Sequence, residues 1–260
     1  SDAVLDRLVE LSDEYLVTEA QPGAAVGLLR RVRTEVADRA PTISDVLVTL
    51  SRSTGVPVAY LDDAIPIDRA RLRASLEQSV MGQTDAIDAV LERLALIKAG
   101  LTDPGRPFAV LLFVGPTGVG KTALAQAIAT ELFGDPARLI RIDMSEYASY
   151  DSFERLLGRA GQQGVLTAPV RAKPFSVVLL DEIEKGHGNV FDLCLQLFDA
   201  GRLTEGTGAT VDFRRTVIIL TSNVGAGVVS RPRPVGFGAR DVTEHAADAA
   251  QTEEALGAFF

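Results

Sequence analysis

The chain has 260 residues, of which 47% are hydrophobic and 23% are charged, and its formal net charge of −9 argues against a broad surface that binds nucleic-acid phosphates. A single cysteine, Cys194, excludes an internal disulfide and points to a reducing cytoplasm. No apolar run is long enough to span a bilayer, and the N-terminus carries no signal-peptide pattern.

Helical patterning dominates the first 100 residues. Apolar residues recur at helical spacing through residues 1–55, which predicts an all-helical segment that ends in a turn at residues 54–57. Residues 68–100 predict further helix, interrupted near Met81 and Gly82. The chain begins at Ser1 without a methionine and stops within a helical pattern at Phe260, so we expect a piece of a longer protein.

The pattern changes after Pro107. Four short apolar runs follow, at residues 108–114, 139–142, 176–180 and 216–220, and helical patterns separate them. Short strands buried on both faces that alternate with helices are typical of a parallel sheet in an α/β fold. We therefore predict two parts, a helical segment at residues 1–55 and an α/β domain at residues 56–260.

A phosphate-binding motif follows the first of these strands. Residues 115–122 satisfy the pattern G-x-x-x-x-G-K-[ST], between a predicted strand and a predicted helix. In such a loop glycines bring backbone N–H groups close to phosphate oxygens, the lysine reaches the β- and γ-phosphates, and the threonine binds Mg²⁺. The residues expected around the phosphates are Gly115, Pro116, Thr117, Gly118, Val119, Gly120, Lys121 and Thr122.

Two adjacent carboxylates end the third predicted strand. Asp181 and Glu182 follow a buried run, at the sheet edge where ligands of parallel sheets bind. Alone, such a pair is usually a helix cap and a first-turn carboxylate. Because a phosphate loop lies upstream, we assign Asp181 to Mg²⁺ and Glu182 to the water that attacks the γ-phosphate.

Weaker candidates lie elsewhere in the chain. Asn223 ends the fourth strand, where it either senses the γ-phosphate or only terminates the strand. His187 is expected at the surface and Cys194 in the core. A further set of basic residues is most simply interpreted as solvated surface charges, although one or two could reach a neighbouring subunit's nucleotide. These residues are Arg171, Lys173, Arg202, Arg214 and Arg215.

Several segments together resemble the Clp-type AAA+ unfoldases, and specifically the second ATPase module of the members with two rings. They are residues 115–122, 142–147, 176–185, 201–204, 211–214 and 216–225. Residues 53–57 are similar to the linker between modules, and residues 1–50 more loosely to the lid of the preceding module. The segment with Val80 and Met81 resembles the part that contacts adenine.

The resemblance implies a hexameric ring that couples ATP hydrolysis to threading a polypeptide through a pore. It implies an AAA+ P-loop fold, with a parallel sheet flanked by helices, and the cofactors ATP and Mg²⁺. It also supports Lys121 and Thr122 on phosphate and metal, Asp181 and Glu182 in hydrolysis, and Asn223 as the sensor. Protein substrates are the expected partners in the cytoplasm, without nucleic acid or membrane, and a Clp-type peptidase stays open as a partner.

Three features depart from the family pattern. Residues 159–164 stand where the family has an aromatic pore loop, and they are several residues shorter. Either the loop is lost, or residues of a mobile loop are missing from the sequence, which is the preferred explanation because loop tips commonly go unresolved. The inter-subunit arginine, the last strand and the C-terminal lid are expected beyond residue 260. The segment at residues 185–189 lacks the usual alanine and proline.

Two other functions compete with an unfoldase. A truly short pore loop would favour a scaffold module in which ATP only switches assembly. A nucleic-acid remodelling AAA+ ATPase is disfavoured by the acidic balance and by the family resemblance.

Overall fold

The computed structural model describes residues 2–16, 19–37 and 39–223. The last two residues of the family segment at 216–225 lie outside this part, as do all later residues. Three helices form the N-terminal segment, namely α1 (Asp2–Tyr15), α2 (Gly23–Val36) and α3 (Ile43–Thr54). Helix α3 begins with a capping box between Thr42 and Asp45 and ends at Gly55, whose φ of 76° closes the last turn.

Three more helices precede the sheet, namely α4 (Val58–Leu61), α5 (Arg69–Ser79) and α6 (Thr84–Lys98). The Asp68 side chain caps α5 by accepting a hydrogen bond from the Arg71 N–H. The predicted interruption is confirmed, since residues 80–83 separate α5 from α6 and Gly82 has a φ of 75°. None of the helices in the described ranges is long and apolar enough to cross a membrane.

Strands and helices alternate from residue 109, as predicted. The elements are β1 (Ala109–Val114), α7 (Lys121–Phe133), β2 (Leu139–Asp143), α8 (Ser152–Leu157), β3 (Gly158–Arg159), β4 (Gln162–Gln163), α9 (Thr167–Ala172), β5 (Ser176–Asp181), α10 (Gly188–Ala200), β6 (Arg202–Thr204), β7 (Thr210–Asp212) and β8 (Thr216–Ser222). The four predicted apolar runs become β1, β2, β5 and β8, so the α/β assignment is confirmed.

These four strands form one parallel sheet in the order β1-β8-β5-β2. Val114 pairs with Ser222 across β1 and β8, and Asp143 pairs with Asp181 across β2 and β5. Since all pairs are parallel, the four carboxyl ends meet at one edge of the sheet. The phosphate-binding motif and the polar strand ends are therefore neighbours.

Each face of the sheet packs on its own apolar core. Val177 and Leu179 of β5 face a cluster with α5, α6 and α7, whereas Val178 and Leu180 face a cluster with α8, α9 and α10. This division follows from the alternation of side chains along a strand. The N-terminal helices contribute Leu28 and other residues to the first cluster, so one continuous apolar core crosses the predicted boundary at residue 55. The two-part division stays a prediction.

Two short hairpins were not predicted from the sequence. Strands β6 and β7 pair antiparallel, and so do β3 and β4. The β3–β4 hairpin occupies the position of the expected pore loop, and Gly161 in its two-residue turn has a φ of 82°. Gly158 pairs with Gln163, so the residues present close as a short hairpin. Both explanations of the short loop stay predictions.

Candidate functional site

A cavity of about 370 Å³ lies at the carboxyl edge of the sheet. Its wall combines the phosphate-binding motif, the start of α7 and the ends of β2, β5 and β8. The lining residues are Thr117, Gly118, Gly120, Lys121, Thr122, Ala123, Arg141, Asp143, Asp181, Glu182 and Asn223. The structure therefore brings together the predicted phosphate, metal and water residues, which come from four separate parts of the chain.

The backbone of the phosphate loop adopts positive φ at its glycines. Gly118 and Gly120 have φ values of 87° and 99°, a region that other residues rarely adopt. A Cβ atom at Gly120 would also lie 2.8 Å from Val80 Cγ1. Helix α7 begins at the next residue, Lys121, so its positive N-terminal end lies at the cavity.

The Lys121 ammonium is held at the cavity by three oxygen atoms. It donates to the carbonyl oxygens of Gly115 and Pro116, at 2.5 and 3.1 Å, and to Asn223 Oδ1 at 2.8 Å. Burial lowers the pKa of Lys121, and three nearby carboxylates offset part of this effect. The lysine is thus a partly desolvated cation, which strengthens its attraction to an anion.

Glu182 is held at both carboxylate oxygens. Asn223 Nδ2 donates to Oε1 at 2.9 Å, and Lys185 Nζ donates to Oε2 at 2.5 Å. Its backbone adopts the left-handed region, with a φ of 56°, which is a strained conformation for a residue other than glycine. The Thr221 hydroxyl stabilises this conformation by accepting a hydrogen bond from the Glu182 N–H at 2.9 Å.

Asp181 lies almost buried beside two other partners. Its Oδ1 accepts from the Thr221 hydroxyl at 2.5 Å, and its Oδ2 accepts from Arg141 Nη2 at 2.6 Å. The exposed fraction of Asp181 is only 8%, so the carboxylate requires such donors. Thr221 therefore bridges the two adjacent acidic residues.

Besides Lys185, three residues of this network were missed in the sequence. Thr221 and Arg141 contact the acidic pair, and Glu184 accepts from the Asn223 N–H at 3.0 Å through Oε1. Glu184 Oε2 is buried and has no hydrogen-bond partner among the described residues. A polar residue at a predicted strand end was the available signal for Thr221, whereas Arg141 lies inside its strand and carried no such signal.

An apolar cavity of about 360 Å³ adjoins the first one, and both are lined by Gly120 and Lys121. Val80, which was expected to contact adenine, lines this second cavity together with residues of α6 and β1. Met81 is 89% exposed and is not among the lining residues. The roles of Val80 and Met81 in base binding stay predictions.

The weaker candidates have structural roles in the described part of the chain. His187 caps α10, with its Nδ1 accepting from the Asn189 N–H at 3.3 Å. Cys194 lies in the core, where burial raises the pKa of its thiol to about 12. Ion pairs join three of the five basic candidates to carboxylates within the chain. These pairs are Arg171 with Glu205, Arg214 with Asp212, and Arg215 with Glu14.

The residues present fit a magnesium nucleotide. Gly118 and Gly120 adopt positive φ without steric cost, which lets the loop backbone approach a phosphate, and Lys121 supplies a cation beside them. The Thr122 hydroxyl and the Asp181 carboxylate line the same cavity, and oxygen atoms of this kind are the ligands that Mg²⁺ prefers. The apolar cavity next to the loop suits a flat apolar base.

Comparison with known proteins agrees with this geometry. The family model "AAA domain (Cdc48 subfamily)" matches residues 106–257. The chain is 46% identical over 213 residues to the negative regulator of genetic competence ClpC/MecB of Bacillus subtilis, covering 80% of this chain and 26% of that protein. It is also 46% identical over 206 residues to the chaperone protein ClpB of Oceanobacillus iheyensis, covering 77% of this chain and 26% of that protein.

A solved structure of the S. cerevisiae Hsp104:casein complex superposes with a TM-score of 0.82 at 32% identity, and the match covers 100% of this chain and 46% of that chain. The Hsp104–ADP complex matches with a TM-score of 0.80 at the same identity, again over 100% of this chain and 46% of that chain. The chain thus spans about a quarter of the length of the two bacterial relatives. The chain belongs to the AAA family of ATPase domains, and within it to the Clp-type chaperone group that includes ClpB, ClpC and Hsp104.

Proposed function

We propose that this chain binds ATP with Mg²⁺ and hydrolyses the γ-phosphate. The observation that carries the proposal is the chain of contacts from Lys121 through Asn223 to Glu182, since it joins the phosphate loop to the acidic strand end across one cavity. A general base needs to lie within hydrogen-bond reach of its proton, and a positive group needs to lie near the phosphate.

Each residue then has one task. The backbone of residues 115–120 and the start of α7 would hold the phosphates, and Lys121 would exchange its carbonyl acceptors for phosphate oxygens. Thr122 and Asp181 would hold Mg²⁺, which supplies charge neutralisation at the phosphates when bound. Arg141 occupies Asp181 Oδ2 and would have to release that oxygen.

Glu182 would accept the proton of the attacking water or orient that water. Both of its oxygens are engaged, by Asn223 and Lys185, so at least one of these hydrogen bonds must open before the carboxylate can accept another proton donor. Asn223 also contacts Lys121. The amide would therefore transmit the position of the lysine to the carboxylate.

The activity of the whole protein is a further proposal, because the chain spans only part of its relatives. We propose a subunit of a homo-oligomeric ring, a hexamer in the family pattern, that unfolds or remodels protein substrates. The relatives are chaperone proteins, and one matched structure is a complex with casein, which supports a protein substrate. The cytoplasmic location and a Clp-type peptidase partner stay predictions.

The test is ATP turnover by this chain beside its Lys121→Ala and Glu182→Gln variants, with mass measured with and without nucleotide. We expect Mg²⁺-dependent turnover that both variants lose, while Glu182→Gln still binds ATP and Lys121→Ala binds it far more weakly. Unchanged turnover in Glu182→Gln would overturn the role of this carboxylate. The Asp192→Asn variant, altered on α10 outside the cavity lining, is the matched control.

The β3–β4 hairpin supports a second candidate function. It has only two residues in its turn, and no aromatic residue lies between Gly158 and Gly164. A ring built from such subunits would lack the expected aromatic grip, and ATP would then switch assembly without unfolding. Measuring unfolding of a tagged substrate by the full-length protein separates the two, because the scaffold alternative predicts assembly and turnover without unfolding.

A further inference from the structure

A cavity of about 450 Å³ lies between the N-terminal helices and the α/β domain. The N-terminal helices contribute one wall and the segment around α9 the other. Its lining residues are Tyr15, Leu16, Glu19, Arg31, Ser53, Thr54, Arg138, Arg171, Ala172, Lys173, Pro174 and Phe175. None of them lines the nucleotide cavity or the apolar cavity beside it.

Positive side chains dominate this cavity. Arg31 comes from α2, Arg138 from the short turn before β2, and Arg171 and Lys173 from α9 and its end. Glu19 is the one carboxylate among the lining residues. The chain as a whole carries a net charge of −9, so four cations around one space are not a consequence of its composition. Such a cluster creates a local positive potential.

Arg31 has unused hydrogen-bond donors. Its Nε and Nη2 atoms are buried and have no hydrogen-bond partner among the described residues. The nearest carboxylate oxygen recorded for it, Glu19 Oε1, lies 3.9 Å from Nη2, which is an ion pair without a hydrogen bond. These two donors are unsatisfied, although the side chain as a whole is 41% exposed, and a planar guanidinium is suited to two parallel bonds with one oxyanion.

The other cations are fixed around the same space. Arg138 Nη1 donates to the Phe175 carbonyl oxygen at 3.1 Å, and its guanidinium packs so closely on Gly55 that a Cβ there would clash. Lys173 Nζ donates to the Ala137 carbonyl oxygen at 3.2 Å, which leaves its other N–H bonds available. Arg171 is partly neutralised by its ion pair with Glu205.

We propose that this cavity binds a phosphate-type oxyanion, either free or as the phosphate group of a larger molecule. The anion would accept hydrogen bonds from Arg31 on the helical segment and from Arg138 or Lys173 on the α/β domain. It would therefore join the two parts of the chain at their boundary. Arginine is the side chain best suited to such recognition, because its donors form a rigid fork.

The test must exclude the phosphate loop, which also binds phosphate. We would titrate the Lys121→Ala variant with inorganic phosphate and with pyrophosphate, and follow binding by calorimetry and by the melting temperature. We expect saturable binding and a raised melting temperature, both weakened by added salt. Adding Arg31→Gln or Arg138→Gln should weaken binding at least tenfold, whereas Arg33→Gln, exposed on the same helix, should not change it.

Two results would overturn the proposal. One is the absence of saturable phosphate or pyrophosphate binding in the Lys121→Ala parent. The other is equal binding by the parent and by both the Arg31→Gln and the Arg138→Gln variants. An acidic peptide that binds when phosphate does not would also reject the oxyanion and assign the cavity to a protein carboxylate. The unliganded melting temperature of each variant shows whether it is folded, and none of these readouts depends on ATP turnover.

Discussion

The phosphate loop and the acidic edge of the nucleotide cavity are built in different ways. The loop is contiguous, at residues 115–122, and its shape comes from the backbone of its glycines. The acidic edge collects Arg141, Asp181 and Thr221 from three strands of the sheet. The two regions meet where Lys121 donates to Asn223.

Because of this difference, we expect substitutions in the loop to change nucleotide binding more than the free energy of unfolding, and substitutions at the acidic edge to change both. A loop held by its own backbone can lose a side chain without disturbing the sheet. The acidic edge depends on the register of β2, β5 and β8. Asp181 and Thr221 are buried there, so a substitution at this edge affects both folding and chemistry. Four substitutions, in order of expected effect, test the contrast.

Lys121→Met should give the largest effect. We expect the affinity for ATP to fall about 100-fold, near 3 kcal/mol, because charge-assisted hydrogen bonds to phosphate are lost. The free energy of unfolding should change by less than about 1 kcal/mol, since a partly desolvated cation is removed together with its bonds. Nucleotide titration and urea unfolding measure the two quantities, with Arg33→Met as the control. A large loss of stability would show that the loop, like the acidic edge, is held together by its side chains.

Asn223→Ala tests the contact between the two regions. We expect turnover to fall roughly 30-fold, about 2 kcal/mol, because Glu182 and Lys121 lose their shared partner. Affinity for ATP should change less than turnover does. Steady-state kinetics at saturating ATP measure the effect, and Asn189→Ala, at the other asparagine of the chain, is the control. Equal losses of affinity and turnover would show that Asn223 only supports the lysine.

Thr221→Val should reduce stability by about 1 to 2 kcal/mol. The Glu182 N–H loses its acceptor and Asp181 loses a donor, in a place where water has little access. Thr221→Ser keeps the hydroxyl and should retain most of that stability. Urea unfolding of the three proteins decides the matter. If the Thr221→Val variant is as stable as the unaltered protein, the strained Glu182 backbone does not need the Thr221 hydroxyl.

Arg141→Gln should have the smallest effect. The arginine side chain is 53% exposed, so its ion pair with Asp181 is screened and worth at most about 1 kcal/mol. We expect the affinity for Mg²⁺, measured by titration in the presence of ADP, to rise two- to fivefold because Asp181 loses a competitor. A fall in affinity would mean that Arg141 contributes to binding, by contact with phosphate rather than by competition with the metal.

The same contrast explains which parts of the site could be predicted from the sequence. Eight contiguous residues carry the phosphate loop, and continuous apolar runs carry the four strands, so both were predicted. The partners of Asp181 depend on which strands are neighbours. The apolar pattern predicted a parallel sheet without its strand order, and thus gave no reason to place Arg141 beside Asp181 or Thr221 beside Glu182.

The hairpins and the boundary cavity were missed for a related reason. Strands β3 and β4 have two residues each, and β6 and β7 have three, which is too short for a periodic signal. Arg31 and Arg138 are more than a hundred positions apart, and each is unremarkable in its own segment. They line one cavity only because the N-terminal helices pack on the same core as the sheet.

The position of β8 within the sheet has a mechanical consequence. This strand is bonded to β1 on one side and to β5 on the other, whereas among the described strands β1 and β2 each have a neighbour on one side only. Asn223 directly follows Ser222, which pairs with β1, and its N–H donates to Glu184 Oε1, so displacing its backbone would strain the β1 ladder and break that hydrogen bond. Asn223 is therefore a fixed reference point in the cavity. Movement that accompanies loss of a phosphate is expected in side chains and at the two edge strands, β1 and β2.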